Sequence, residues 1–245
     1  PNLSDPDAVV NIVLDAVEQL ARSMGASSTH WLFITEADAA QLNNHATIAR
    51  IDCQFHWKNE AYRNFDHFLA ALSHKKRKNI RQERRSVLHA GVALSVTPAT
   101  HTTARCWHDF HRLYERTCHS KGGMAYLNAR FFVTLSTRLP DNLLLIRAHL
   151  DGELIAGAFC LADQTTLYGR SWGTAVERPG LHFETCYYTP IEYCITHGLQ
   201  RFEAGAQGEH KLSRGFLPTQ TVSRHWIAEP AFRGALTRYV SEESM

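Results

Sequence analysis

The chain has 245 residues, 44% of them apolar, and a formal net charge of +2 with histidine neutral. Such a chain can bury a sizeable core in one large domain or two small ones, and its charge is too small to mark a nucleic-acid binder by itself. No stretch approaches the roughly 18 consecutive apolar residues of a membrane span, and the start shows no secretory-type leader, so no bilayer crossing is expected.

In chain order, residues 8–23 carry Val9, Val13, Ala16, Leu20 and Ala21 at helical spacing, with Gly25 placed to end the helix. His30–Ile34 has strand length, and Thr35–Asp38 looks like a turn into a second helix. Ala49–Trp57 partly alternates, as a half-buried strand does. Two helices follow, one with Phe65, Phe68, Leu69 and Leu72 on a stripe, the other from about Lys75 to Leu88, stopping at Gly91. A strand over Val92–Val96 and a loop at Pro98 lead to a long helix carrying Trp107, Phe110, Leu113, Tyr114 and Thr117. Asn128 is placed to cap the next helix.

The second half is more sharply punctuated. Asn142–Leu150 and Glu153–Leu161 flank Asp151-Gly152, the pair that suits a type I′ hairpin turn. A third strand over Thr166–Trp172 precedes a Pro179-Gly180 loop and a helix ending at Gly198. Within that helix Thr189-Pro190-Ile191-Glu192 reads as a cap, an N1 proline and a capping box, where the helix restarts or kinks. A strand over Arg201–Ala206, a polar loop over Gln207–Thr219 and a closing strand over Thr221–Ile227 complete the pattern. Helix and strand alternate as in a mixed layered α/β fold rather than a bundle. The six cysteines form no C-x-x-C pair and are read as reduced thiols, which points to the cytoplasm or another reducing space.

The densest chemistry lies between Gly205 and Phe216, where Gln207, Glu209, His210, Lys211 and Arg214 are interleaved with glycines. Glycine lets backbone approach a ligand, while these side chains supply an acid, an imidazole, two cations and an amide. A second group, Tyr168, Arg170 and Trp172 on the third strand with His182 and Glu184 after it, should face the same cleft. The bland alternative is an Arg170–Glu184 ion pair and a satisfied loop histidine at 182. His182-x-Glu184 and Glu209-His210 have no recognised zinc spacing, so no metal is expected. The third group runs from Lys75 to Arg85, with seven cations in eleven residues and Arg77, Arg81, Arg84 and Arg85 on one helical face. One acid among seven bases is lopsided for salt-bridge lacing and favours anion binding, to a pyrophosphate, a nucleotide carrier or RNA.

QFHWKNEAY, the KKRKNIRQER segment, LYGRSWG, LHFETCYY and above all GAQGEHKLSRGF together resemble the FemAB-like branch of N-acyltransferases, labelled peptidoglycan-biosynthesis-like and related to the GNAT superfamily. The resemblance runs from about Cys53 to Trp226. It implies a twinned GNAT-like acyltransferase fold with a mixed, mostly antiparallel sheet flanked by helices. Residues 1–90 would be a partial first lobe with the basic helix, and 91–245 a second lobe. The implied reaction carries an acyl or aminoacyl group from a carrier, aminoacyl-tRNA or acyl-CoA, to an amine acceptor, with no tightly bound cofactor. Glu209 or His210 would be the base, with Glu184 as the alternative, and Tyr187 or Tyr168 would return the proton. Lys211, Arg214 and Arg170 would hold an anionic part of donor or acceptor, and Gln207 would serve the oxyanion. The segment Thr174–Leu181 offers only Arg178-Pro179-Gly180 in place of a Gly-rich pyrophosphate loop, which weakens the CoA alternative. The rivals are a non-catalytic RNA-binding module built on residues 75–85 and a metallohydrolase built on His182, Glu184, Glu209 and His210.

Overall fold

The computed structural model describes residues 6–42, 46–205 and 208–243, which fall into two compact units, 1–54 with 219–245, and 55–218. Sequence placed a lobe boundary near residue 90, whereas both flanks of that position belong to the second unit. Among the described residues no helix is long and apolar enough to cross a membrane, and all six cysteines are free.

The first unit contains α1 (Pro6–Ser23), β1 (Ser28–Ile34), α2 (Glu36–Gln41), most of β2 (Ile48–Lys58) and of β8 (Leu217–Ile227), and α9 (Pro230–Glu243). β8 pairs antiparallel with β1, Ser28 opposite Ile227. Thr35 caps α2 in a complete capping box with Asp38. No sequence pattern had suggested α9. Its start is nonetheless written locally, as Pro230 at the first turn and a Glu229 carboxylate that accepts from the backbone N–H groups of Ala231 and Phe232.

The second unit begins with the end of β2, followed by α3 (Phe65–Ala70), α4 (His74–His89), β3 (Ala93–Pro98), α5 (Ala104–Ser120) and α6 (Ala129–Arg138). Next come β4 (Leu143–Leu150), β5 (Glu153–Ala162) and β6 (Thr166–Thr174), then α7 (Leu181–Phe183), a π-turn over Glu184–Tyr188, and α8 (Thr189–His197). β7 (Arg201–Glu203) and a 3₁₀ turn over Glu209–Arg214 precede β8. β3, β4, β5 and β6 form an antiparallel meander, β6 pairs parallel with β7, and β7 pairs antiparallel with His56–Lys58. Asp151 and Gly152 turn the β4–β5 hairpin with φ of 51° and 83°, as the dipeptide foretold.

Strand alternation divides the core between the two faces of this sheet. Leu144, Ile146, Ala158 and Cys160 pack with Phe65, Phe68, Tyr188 and Ile191 of α3, the π-turn and α8. Leu143, Leu145 and Phe159 pack with Trp107, Phe110 and Phe132 of α5 and α6. Gly173 lets α5 lie directly on β6, because a Cβ there would strike the backbone of Leu113 and Tyr114.

Two expectations are corrected. Thr189 is helical rather than a cap, with φ −61° and ψ −45°, and Glu192 bonds to Arg84 rather than closing a capping box. Pro190 has no N–H for the carbonyl one turn earlier, and the helix takes up this loss in a π-turn instead of restarting. The strand at 201–206 ends at Glu203, and the expected loop contains the 3₁₀ turn and the first residues of β8. Ala206 lies outside the described residues.

Candidate active site

The parallel pairing of β6 with β7 stops at Tyr168 opposite Glu203, while β6 runs on to Thr174. The two strands therefore part at their carboxyl ends, where open α/β sheets receive ligands. On its other side β6 meets β5 with a register shift: Phe159 faces Ser171, Cys160 faces Gly169, and Arg170 is the extra residue. A bulge of this kind leaves one residue outside the ladder and re-aims its side chain.

The opening is a crevice of about 180 Å³ walled by Ala158–Cys160, Gly169–Trp172, His182, Cys186, Tyr187, Ala204 and Gly205. The π-turn helps to build this wall, since i→i+5 spacing brings His182 and Tyr187 to the same side. The His182 ring meets Trp172 edge-on at 4.7 Å and Tyr187 at 5.4 Å between centroids. Burial, aided by the positive charges of His210, Lys121, Arg214 and Lys211, pushes the His182 pKa down to about 4, so the ring is neutral at pH 7. Burial pushes the Tyr187 hydroxyl up to about 12. That hydroxyl is 2.9 Å from Nε2 of His210, whose pKa is lowered by burial and by Arg214 and Lys211. Gly208 makes room for the pair: its φ is 108°, and a Cβ would overlap the His210 ring. Arg170, Trp172, His182 and Tyr187 thus line one crevice, with His210 bonded to Tyr187.

Glu184 does not join them. Buried at 5% exposure, it accepts from Nε of Arg84 at 3.1 Å, from Nη2 of Arg84 at 3.0 Å and from the Thr189 hydroxyl at 3.2 Å. The alternative Arg170–Glu184 ion pair does not form; Glu184 pairs with Arg84 instead. Arg84 also binds Glu192 at 2.7 Å and lies 4.2 Å above the Phe65 ring. With Arg81 and Arg85 these groups border a separate cleft of about 800 Å³ between α3, α4 and β3.

The remaining candidates are engaged elsewhere. Lys211, 1% exposed, donates from Nζ to the Gly205 carbonyl at 2.5 Å, and burial lowers its pKa to about 8. Arg214 donates to Glu83 at 2.8 Å and to the His210 carbonyl at 2.9 Å, and covers the Phe183 ring at 3.4 Å. Glu83 also accepts from the Tyr188 hydroxyl, so α4 is tied to both the 3₁₀ turn and the π-turn. Tyr168 donates to Asp163 at 2.8 Å, which removes its hydroxyl from the crevice. Glu209 is exposed, and Gln207 lies outside the described residues.

The basic helix is less lopsided than it reads, because its acids come from other elements. Arg81 pairs with Asp66 at 3.0 Å and Arg84 with Glu184 and Glu192. Arg77 reaches the Ala70 carbonyl and Lys76 the Leu212 carbonyl. Arg77 does not line the cleft that Arg81, Arg84 and Arg85 share. Among the described residues no group of three or more His, Cys, Asp or Glu gathers as metal ligands. Sequence reasoning missed Glu83, the one acid in the basic run, and the Arg170 bulge; neither has a local signal, since each is defined by a distant partner.

Comparison with known proteins adds a family and a fold. The sequence profile of the FemAB-like family, described as peptidoglycan biosynthesis/recognition, matches residues 2–245. No curated protein matches the chain by sequence. Among solved structures it is similar to FemX, with TM-score 0.65 and 12% identity over 95% of this chain and 80% of that one. It is similar to L-PGS from Bacillus licheniformis, with TM-score 0.64 and 11% identity over 93% and 77%. A tandem GNAT protein from the clavulanic acid biosynthesis pathway gives TM-score 0.53 and 12% identity over 90% and 70%. At these identities the likeness is one of fold.

Proposed function

The chain belongs to the FemAB-like family, and from that premise we propose that it transfers an acyl or aminoacyl group from a carrier to an amine, with the β6/β7 crevice as the reaction site. The observation that carries this reading is the 2.9 Å bond between the Tyr187 hydroxyl, on the crevice wall, and Nε2 of His210 behind it. Acyl transfer needs an amine stripped of its proton, a carbonyl held beside it, donors for the developing oxyanion and a proton for the leaving group.

The Tyr187–His210 pair moves one proton in both directions. As the amine nitrogen bonds to the acyl carbon, its proton passes to the Tyr187 oxygen while the Tyr187 proton passes to Nε2 of His210. When the tetrahedral intermediate collapses and the carrier bond breaks, the proton returns through Tyr187 to the departing heteroatom. His210 is the base because its pKa is lowered only by partial burial and neighbouring charge, whereas Tyr187 stays protonated at rest. Neutral His182 and the backbone N–H groups of the bulge at Arg170 are the donors available to the carbonyl oxygen, in the way a neutral imidazole can polarise a carbonyl. Lys211 holds the Gly205 carbonyl on the wall, and Arg214 holds the turn that carries His210; both are positioning residues. Glu184, neutralised by Arg84, has no part in the reaction.

An RNA or phosphate-binding role for the basic helix loses some weight because two of its four arginines, Arg81 and Arg84, are paired with Asp66, Glu184 and Glu192. The test offers the protein acyl-CoA and aminoacyl-tRNA donors with peptidoglycan-type amine acceptors and reads the mass gain of the acceptor. Transfer that collapses in Tyr187→Phe and His210→Ala supports the assignment. No transfer from either donor class, or full rates in both variants, ends it.

A further inference from the structure

Another surface of the 55–218 unit combines cations with apolar groups left in water. Residues 116–140 hold Arg116, Lys121, Arg130 and Arg138 and no aspartate or glutamate, and all four cations are exposed. Between α5 and α6 the chain alternates: Ala125 and Leu127 pack against the core around Trp107 and Phe132, while Met124 and Tyr126 are 73% and 89% exposed. His111 holds this loop, its Nε2 lying 3.1 Å from the Leu127 carbonyl oxygen, so the two side chains project from an anchored segment. On α6, Phe132 is fully buried, whereas Phe131 and, just past the helix, Leu139 are exposed. Phe131, Thr134 and Leu135 line an open groove of about 350 Å³ together with Arg130 and Arg138.

Single exposed apolar residues are ordinary, but Met124, Tyr126, Phe131 and Leu139 lie close together in a stretch whose only charges are positive. The bordering acids, Glu115 and Asp141, stand at its two ends, and Asp109 of α5 is taken by Arg105 and Arg112. This pattern suits an anionic bilayer better than a protein partner. The side chains that anchor protein contacts fill fitted pockets, whereas Met124 and Tyr126 stand out on a loop and need a soft phase that closes around them. Tyrosine sets its ring among acyl chains and its hydroxyl at the headgroups. Each cation near an anionic surface strengthens binding by about fivefold, and exposure to water is what lets it reach the lipid phosphates. The face also adjoins the crevice, because Lys121, at the end of α5, is near enough for its charge to help keep His182 neutral.

We propose that residues 121–139 dock the protein peripherally on an anionic lipid bilayer, with Met124, Tyr126 and Phe131 at the acyl boundary and Arg130 and Arg138 on the phosphates. The test uses neither donor nor acceptor, so its outcome is independent of the acyl-transfer reading. Purified protein is sedimented with vesicles of equal parts phosphatidylglycerol and phosphatidylcholine, or of phosphatidylcholine alone. Anionic vesicles should hold it at least about tenfold more tightly than neutral ones, and binding should weaken as salt rises. Met124→Ser with Tyr126→Ser should weaken binding by about tenfold at an unchanged thermal midpoint, since both side chains lie outside the core. Phe131 is left in place because its ring lies 5.3 Å from that of Phe132 between centroids. Arg130→Gln with Arg138→Gln should weaken binding by about tenfold or more. No binding to either vesicle, equal binding to both, or full binding by either double variant overturns the proposal. Where only the arginine variant loses binding, the face is instead a polyanion surface of the kind RNA would use.

Discussion

The two sides of the segment 181–197 handle polar groups in opposite ways. Toward α4, Glu184 is buried as a carboxylate and matched at once by Arg84 and Thr189. Toward the crevice, His182 and Tyr187 are kept uncharged by burial, with the Arg170 charge left unanswered at the edge. Two residues separate Glu184 from Tyr187, yet one is spent on holding the helix and the other is free for chemistry. A buried charge whose partners are all protein is a fastener; a neutral, polarisable group on an open wall can act on a ligand.

The sharpest way to break this comparison is to remove the fastener. Arg84→Met leaves Glu184 buried without its cation and should cost about 3 kcal/mol of unfolding free energy by denaturant titration. The double variant Arg84→Met with Glu184→Leu should recover most of it, because a well-packed apolar pair replaces a buried ionic one at little cost. Any transfer activity should survive in the folded fraction; a loss of turnover without a loss of stability would return Glu184 to the reaction.

On the crevice side, Tyr187→Phe and His210→Ala should each lower turnover by about two orders of magnitude, with small changes in stability. The double variant should be little worse than either single one, because the two residues work as one relay. Independent, multiplying losses would separate them.

A smaller effect distinguishes the sides by pH. His182 has an ordinary pKa near 6.5 when unfolded and about 4 when folded. Between those values the unfolded chain holds more protons, so stability rises with pH across this window and is lost as pH falls through it, by about 3 kcal/mol at most. His182→Leu should flatten that limb relative to the parent, and parallel curves would show that His182 is not held neutral. The smallest expected change is at Tyr168, whose hydroxyl serves Asp163. Tyr168→Phe should shift stability by about 1 kcal/mol or less and leave turnover unaltered.

Much of this was legible locally. Asn128 accepts from the N–H of Phe131 as a cap should, and the Trp107–Thr117 stripe is buried along α5 as its spacing required. That the third strand and the start of the following helix meet at one opening follows from strand order, since Arg170, Trp172 and His182 lie at or just beyond the carboxyl end of β6. Partner choice could not be read the same way. Arg84 finds Glu184 a hundred residues away, and Arg214 finds Glu83 across 131, so part of the helix's charge is answered only in three dimensions.

What the amino-acid order determined by itself was periodicity, caps and the hairpin turn, all set within a few residues by backbone geometry and side-chain reach. Only the tertiary structure decided which of two similar carboxylates or cations is neutralised and which is left facing a ligand. The strength of a charge depends on burial and on the nearest opposite charge, and both come from segments far apart in the chain.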